Sequence, residues 1–239
     1  MDHSIKIFVD FDGTIAKKDV GDHLFMEFGD LEIINEIAER WIAGDISSSV
    51  FWDELFESLP DIDKSDMDKF VDLMEIEDGF YEFLELCNKS NIEIIVVSDG
   101  LDYYIDRIFT KNNLSHLTVY TNQLHFIENQ RMKPAFPFMD EECKICANCK
   151  RNHIINHSSD DDITIYIGDG LSDTCPAQYV DYIFAKRSLL KFCEKNRISF
   201  YPFKNFHDVI PQIEKLLSKR RIKKRHQAEL KRKAVYALG

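Results

Sequence analysis

Ile5-Lys6-Ile7-Phe8-Val9-Asp10-Phe11-Asp12-Gly13-Thr14-Ile15 decides how the rest of the chain is read. Its first five residues are almost continuously apolar, the pattern of a short strand buried on both faces. The strand stops at two carboxylates two residues apart, followed by a glycine. Like charges held this close raise each other's pKa or require a cation. Such a pair also suits covalent catalysis, in which one carboxylate attacks, its neighbour carries protons, and a divalent metal offsets the charge. Asp and Gly are equally ordinary turn residues, so the tetrapeptide alone also reads as a chance turn.

Three further apolar runs, at 92–97, 163–167 and 182–185, repeat the pattern. Two of them end, like the first, in polar residues: Ser98-Asp99-Gly100 and Gly168-Asp169-Gly170. Helical periodicity lies between, at 79–88 and 103–111. This alternation predicts an α/β fold built on a doubly wound, Rossmann-like parallel sheet. In such sheets ligands bind outside the carboxyl ends of the strands, where all three polar stretches fall.

Residues 17–77 break the alternation. Leu24, Phe25, Phe28, Ile33, Ile34, Ile37, Trp41, Phe51, Trp52, Leu55 and Phe56 recur at amphipathic helical spacing. They predict a helical cap inserted directly after the first strand, its helices broken by Pro60 and the acidic stretch 61–68. The α/β core is then 1–16 plus 78–217, and residues 120–126 with 132–136 suggest a hairpin.

The 239 residues, 44% of them hydrophobic, can form a sizeable core. The net charge of −12 argues against general nucleic-acid affinity. That charge is uneven. Residues 218–239 hold nine Lys/Arg and one Glu, so this basic C-terminal tail carries +8 and the preceding body −20. The tail either docks on the body or on a sister subunit of a homodimer, or stands off as a solvated charged helix. Its distance in sequence from every motif predicts that it is dispensable for chemistry. There is no signal-peptide pattern and no run long enough to span a bilayer, and the six cysteines do not resemble a secreted disulfide framework. A cytoplasmic location with no membrane partner is expected.

Together, DFDGTI at 10–15, SDG at 98–100, Lys150 ahead of a strand and GDGLSD at 168–173 resemble the four ordered motifs of the haloacid dehalogenase superfamily. A cap just after the first motif resembles its phosphoserine-phosphatase-like branch. Cys146-Ala147-Asn148-Cys149-Lys150 and the AKRSLLK stretch at 185–191 are most similar to the methionine-salvage branch, the 2-hydroxy-3-keto-5-methylthiopentenyl-1-phosphate phosphatases. This resemblance covers about 200 residues.

The resemblance implies a phosphomonoesterase acting on a small phosphorylated metabolite. Asp10 would be the nucleophile and Asp12 the acid and base, oriented by Thr14. Asp10, Asp12 through its carbonyl, and Asp169 would hold Mg²⁺, supported by Asp173 from the same face of a helical turn. Ser98 with the N–H groups of Asp99 and Gly100 would grip phosphoryl oxygens, and Lys150 would neutralise charge. Asp99 departs from the Ser-Gly-Gly loop of phosphoserine phosphatases, which counts against phosphoserine as substrate. Phosphoserine or another amino-alcohol phosphate, and a non-catalytic binding protein on the same fold, are the rival readings. The intact acidic motifs argue against the last.

Two sets of residues stay open. Asp19 and Asp22 either meet a cationic or hydroxyl-bearing substrate or cap the first cap helix. Cys143, Cys146 and Cys149 either bind Zn²⁺, with His153 or His157 as fourth ligand, or are reduced structural thiols.

Overall fold

The structure, a computed structural model, describes residues 4–127 and 131–236. Its frame is a seven-stranded sheet of β1 (Ile5–Val9), β2 (Glu93–Leu101), β3 (Thr118–Phe126), β4 (Met132–Ala135), β5 (Ile163–Gly168), β6 (Tyr182–Ala185) and β7 (Tyr201–Pro202). The spatial order is β4-β3-β2-β1-β5-β6-β7. Every pairing is parallel except the β3–β4 hairpin. This is the doubly wound α/β sheet expected from the alternating runs. β1 sits centrally between β2 and β5, so the chain order reverses across it. That reversal opens a crevice at the strands' carboxyl ends. β5 is buried at every position, as a strand covered on both faces should be.

The sheet departs from expectation in two places. β3 is a full member of the parallel sheet, paired to β2, as well as one arm of the hairpin. β2 runs on through Ser98-Asp99-Gly100 to Leu101, after a shift in register between Val97 and Leu101. The Ser98 segment is therefore an irregular strand end, and the helix after it starts only at Asp102.

Four helices follow β1: α1 (Val20–Phe28), α2 (Leu31–Ala43), α3 (Ser48–Ser58) and α4 (Lys64–Val71). Phe25, Trp52 and Phe56 meet in their core at ring separations of 5.1–6.2 Å. The two crossings into this insertion run side by side. Lys17 N–H donates to Glu75 O, and Glu77 N–H donates to Ile15 O, flanking an Ala16–Ile76 bridge. The acidic stretch at 61–68 starts a helix instead of only breaking one. Asp63 caps α4 by accepting from Ser65 N–H at 2.8 Å, and Asp66 lies in its first turn, where a negative charge is favourable.

The remaining helices are α5 (Phe80–Lys89), α6 (Asp102–Lys111), α7 (Lys150–Asn156), α8 (Arg187–Lys195), α9 (Phe206–Leu217) and α10 (His226–Tyr236). No helix among the described residues is long and apolar enough to cross a membrane. α10, within the basic tail, is docked on the body with Ala228 and Arg232 buried, so it is not a solvated helix.

Candidate active site

Phe11–Ile15 form a tight, kinked turn at the end of β1, with an extended Asp12 (ψ 123°) and a left-handed Gly13 inside it. Phe11 is fully buried and packs edge-on against Phe109 of α6 at 5.4 Å, which anchors the turn from below. Gly13 has φ +68°, and a Cβ there would lie 2.6 Å from Arg187 Nη1 and 2.7 Å from Asp169 Oδ2. Both the conformation and the space require glycine. Asp10 and Asp12 flank Phe11 at the sheet's carboxyl edge.

Lys150, the first residue of α7, is almost wholly buried. Its Nζ lies 2.6 Å from Asp10 Oδ1, 2.7 Å from Asp173 Oδ1 and 3.0 Å from Ser172 Oγ. Burial alone would lower its pKa, but Asp10 and Asp173 carry it upward, so the ammonium stays charged. Asp10 is pushed well up by burial and then by Asp173, against the pull of Lys150.

Asp173 accepts four hydrogen bonds. Its Oδ2 accepts from the N–H groups of Asp169 (2.8 Å) and Gly170 (2.9 Å), and its Oδ1 accepts from Lys150 and from Tyr166 OH (2.6 Å). It thus organises an irregular loop around Asp169, rather than sharing a helical face with it. Asp169 Oδ1 accepts from Thr14 Oγ1 at 3.1 Å, and its Oδ2 accepts from Arg187 Nη1 at 2.9 Å. Thr14 therefore holds Asp169 and not Asp12, because the kink at Asp12 and Gly13 separates it from Asp12 and its hydroxyl meets the loop after β5.

Asp12 is oriented by other groups. Oδ1 accepts from Val20 N–H (2.9 Å), and Oδ2 accepts from Tyr104 OH (2.9 Å) and Ser98 Oγ (3.3 Å). Burial raises its pKa to about 6, with Val20 and Tyr104 opposing. A carboxyl at that value can hold or release a proton near neutrality. Gly100 makes room for this arrangement, since a Cβ there would collide with Tyr104 OH and Asp12 Oδ2.

The Ser98 segment differs in detail from a row of free N–H donors. Gly100 N–H donates to Ser98 Oγ at 2.9 Å. The Asp99 carboxylate accepts from Asn148 N–H at 2.8 Å, and burial raises its pKa to about 6. Asn148 also donates through Nδ2 to Ser98 O (2.7 Å) and Tyr120 O (3.0 Å). The loop that delivers Lys150 is thereby stitched to the end of β2.

A cleft of about 290 Å³ lies over these groups, lined by Asp10, Asp12, Ser98, Asp169 and Arg187 on the core side. Phe25, Trp41, Phe51, Trp52 and Leu55 of the inserted helices form its other wall. Asp19 and Asp22 reach the same cleft. Asp19 also caps α1, accepting from Asp22 N–H at 2.9 Å, so the capping residue is itself part of the cleft lining. Burial and then Asp12 raise its pKa.

The metal question has different answers for the two candidate ions. Among the described residues, Asp10, Asp169 and Asp173 are the set whose ligand atoms all lie within 4.8 Å of one another. Their hard oxygens fit Mg²⁺. The Zn²⁺ reading of the thiols has no such support. Cys143 is exposed, Cys146 half-buried and Cys149 buried, and they do not form a set of three ligand atoms within 4.8 Å of one another. Burial, and then Asp99 and the neighbouring thiols, pushes the Cys146 thiol up to about 12. His153 Nε2 is bonded to Asn148 Oδ1 at 2.7 Å, and its ring stacks on Tyr120 at 4.4 Å. His157 packs against Tyr120 at 4.9 Å.

Tyr104 was not singled out from sequence, and Asn148 and Arg187 entered only within the stretches at 146–150 and 185–191 that carry the resemblance, with no role of their own. The left-handed φ of +48° at Arg187, whose side chain reaches Asp169, leaves no sequence signal. The aromatic wall had one, since its residues stand out at helical spacing, but spacing alone does not distinguish a cleft wall from a core.

Comparison with known proteins fits this arrangement. Residues 5–197 match the family described as "Putative Phosphatase". The chain belongs to this family. A 2-hydroxy-3-keto-5-methylthiopentenyl-1-phosphate phosphatase of Bacillus mycoides is 33% identical over 217 residues, covering 90% of this chain and 98% of that protein. Its Bacillus cereus counterpart is 31% identical over the same length and coverage. A solved phosphoserine phosphatase, an analogue of the phospho-aspartyl intermediate, has a TM-score of 0.67 at 17% identity, covering 88% of this chain and 99% of its own. That likeness extends to the fold. With these relatives the chain is a phosphoric monoester hydrolase.

Proposed function

We propose that the enzyme hydrolyses a small phosphomonoester in two steps through a phosphoryl group carried on Asp10, with Mg²⁺ as cofactor. The observation that carries this reading is Lys150 Nζ, buried between Asp10 and Asp173, with Asp12 held separately two residues along. In the first step an Asp10 oxygen attacks phosphorus, and the P–O bond to the leaving alcohol breaks. Protonated Asp12 gives that oxygen its proton. In the second step Asp12 takes a proton from water as the water oxygen attacks phosphorus, which releases inorganic phosphate and restores Asp10. Ser98 Oγ and the Lys150 ammonium offer donors to the phosphoryl oxygens. Asp10, Asp169 and the Asp12 carbonyl would hold the ion, with Asp173 fixing the loop behind them. When bound, it would neutralise charge on the phosphoryl group.

For the substrate we propose 2-hydroxy-3-keto-5-methylthiopentenyl-1-phosphate, as named for the Bacillus relatives. The wall of Phe25, Trp41, Phe51 and Trp52 supports this, because an apolar, polarisable thioether packs well on aromatic faces. A second reading, an amino-alcohol phosphate, is favoured by Asp19 and Asp22 in the same cleft. Phosphoserine is disfavoured, since its carboxylate would face those acids. Six unpaired cysteines support a cytoplasmic setting. Phosphate release from a panel holding the methylthio substrate, phosphoethanolamine, phosphocholine and phosphoserine tests the assignment. The methylthio compound should have the highest kcat/KM, and a higher value for an amino-alcohol phosphate would replace it.

A further inference from the structure

The segment after Leu217 lies beyond the part of the chain that matches the family. It nevertheless ends in one of the most buried charged side chains of the protein. Arg232 is 1% exposed. A guanidinium taken out of water is costly unless its N–H groups find acceptors, and such groups specify position more than they add stability. Arg232 Nη1 donates to Tyr179 O at 2.5 Å and to Thr164 Oγ1 at 3.2 Å, and its Nη2 lies 3.4 Å from Asp181 Oδ1. Ala228 and Arg232 lie four residues apart, so they share the face of α10 that meets the body. Arg225 sits just ahead of the helix, where its carbonyl accepts from Glu229 N–H at 3.1 Å. Its Nη2 donates to Ala177 O at 2.6 Å, and its N–H donates to Asp181 Oδ1 at 3.0 Å. Lys231 Nζ reaches Gln178 Oε1 at 2.7 Å.

All of these contacts with the body except that to Thr164 fall on one short stretch, 177–181. Pro176–Tyr179 is a 3-10 turn that begins three residues after Asp173. Ala177 N–H donates to Asp173 O at 3.1 Å, so the turn gripped by the arm is bonded directly to the residue that organises the Asp169 loop. The other end of the grip is equally close to the chemistry. Asp181 Oδ2 accepts from Thr164 N–H and Oγ1, both at 3.0 Å, and β5 carries Thr164 on to Gly168 and Asp169. The loop from Asp169 to Asp173 is therefore suspended between two points, Thr164 and Ala177, each tied to the arm through Asp181, Arg225 or Arg232.

We propose that residues 218–236 form an intramolecular brace, with Arg225 and Arg232 as positioning residues that fix the Asp169–Asp173 loop and, through Asp173, the ammonium of Lys150. This rests on the reading of that loop as the place where the metal is held. It also replaces the expectation that the tail is dispensable. The arm touches none of the reacting groups. Its effect is on how narrowly Asp169 and Asp173 are held, and a small displacement of positioned groups is enough to slow a reaction strongly.

The test uses the full-length protein and its Arg232→Ala, Arg232→Lys and Arg225→Gln variants, together with a chain ending at Leu217. Three quantities are read well below each variant's unfolding temperature: amide hydrogen exchange over 165–181, the affinity for Mg²⁺ alone by calorimetry, and kcat and KM for p-nitrophenyl phosphate. In Arg232→Ala and in the truncated chain the brace predicts exchange over 165–181 at least tenfold faster. It predicts Mg²⁺ binding about tenfold weaker and a fall in kcat larger than any rise in KM. Arg232→Lys should be intermediate. Arg225→Gln loses one half-buried contact and reads the same three quantities should the Arg232 variants not fold. A fall in melting temperature alone, with loop exchange, Mg²⁺ affinity and kcat within twofold of wild type, would overturn the proposal and leave the arm a structural cover. If loop exchange responds as described but the wild-type enzyme binds no Mg²⁺, the brace stands and the metal reading fails.

Discussion

Lys150 Nζ lies 2.6 Å from Asp10 Oδ1 although 140 residues separate them in the chain, and both groups are almost fully buried. The same ammonium reaches Asp173 at 2.7 Å. One cation thus joins the carboxylate at the end of β1 to the carboxylate that orders the loop after β5. Replacing Lys150 by Met keeps much of its bulk and removes its charge, leaving two buried carboxylates facing each other. We expect kcat to fall by at least about 100-fold, the scale of losing one charge-stabilising donor. We also expect stability to fall by about 3 kcal/mol, as when a buried ion pair loses one partner. Steady-state kinetics and urea unfolding check both. Lys150→Met with near-normal kcat would remove Lys150 from the chemistry.

Gly100→Ala tests how Asp12 is held. The added Cβ would occupy the place where Tyr104 OH meets Asp12 Oδ2, so the hydroxyl must move. We expect a fall in kcat of at least tenfold with the fold retained, because Asp12 loses a donor and its aim. Tyr104→Phe should reproduce part of the loss without adding bulk. Equal activity in both variants would show that Asp12 needs neither constraint.

Much of this site was legible in the sequence, because the first and last acidic motifs are local. DFDGTI and GDGLSD each hold their residues within six positions of a strand end, and strand ends can be read from apolar runs. The groups that aim those residues come from elsewhere in the chain. Tyr104 reaches Asp12 from α6, and Asn148 reaches Ser98 from the loop before α7. Arg187 reaches Asp169 from the first residue of α8, where its backbone is left-handed. Thr14 was read with its neighbour Asp12, yet the turn aims it at Asp169, 155 residues away. The cysteine spacing suggested a metal, but the loop that carries it serves to place Asn148 and Lys150. In the tail, composition gave the charge but not the burial of Arg232, which depends on acceptors at Thr164, Tyr179 and Asp181.

His153 gives a prediction for acid stability. Burial, then His157, lowers its pKa from 6.5 to about 4. A group whose folded pKa lies below its unfolded value binds its proton less readily when folded. Stability is therefore full above about pH 6.5 and is lost as pH falls from there toward 4. The whole effect is on the order of 3 kcal/mol. Urea unfolding at pH 7.5 and 5.0 should show a larger loss in wild type than in His153→Gln, whose side chain does not titrate. Carboxylates common to both proteins cancel in that comparison. Equal losses would show that His153 does not carry the acid sensitivity.

The aromatic wall predicts a split between substrates. Trp52→Ala opens the cleft where the apolar end of a substrate would pack. KM for the methylthio substrate should rise about tenfold, a loss of roughly 1.4 kcal/mol of binding. Inorganic phosphate, which has no apolar end, should inhibit both proteins about equally. A matching change in phosphate inhibition would mean that the substitution disturbed the core site.

The central claim is that the phosphoryl group is carried on the Asp10 carboxylate. It is tested most directly by quenching the enzyme during turnover, reducing it with borohydride and mapping the peptide containing residue 10 by mass spectrometry. An aspartyl-phosphate is reduced to homoserine, so the account predicts homoserine at position 10 in the turning-over enzyme. None should form without substrate or in Asp10→Asn, which should also release no phosphate. Homoserine at any other aspartate, or unmodified Asp10 in an enzyme turning over under saturating substrate, would contradict it.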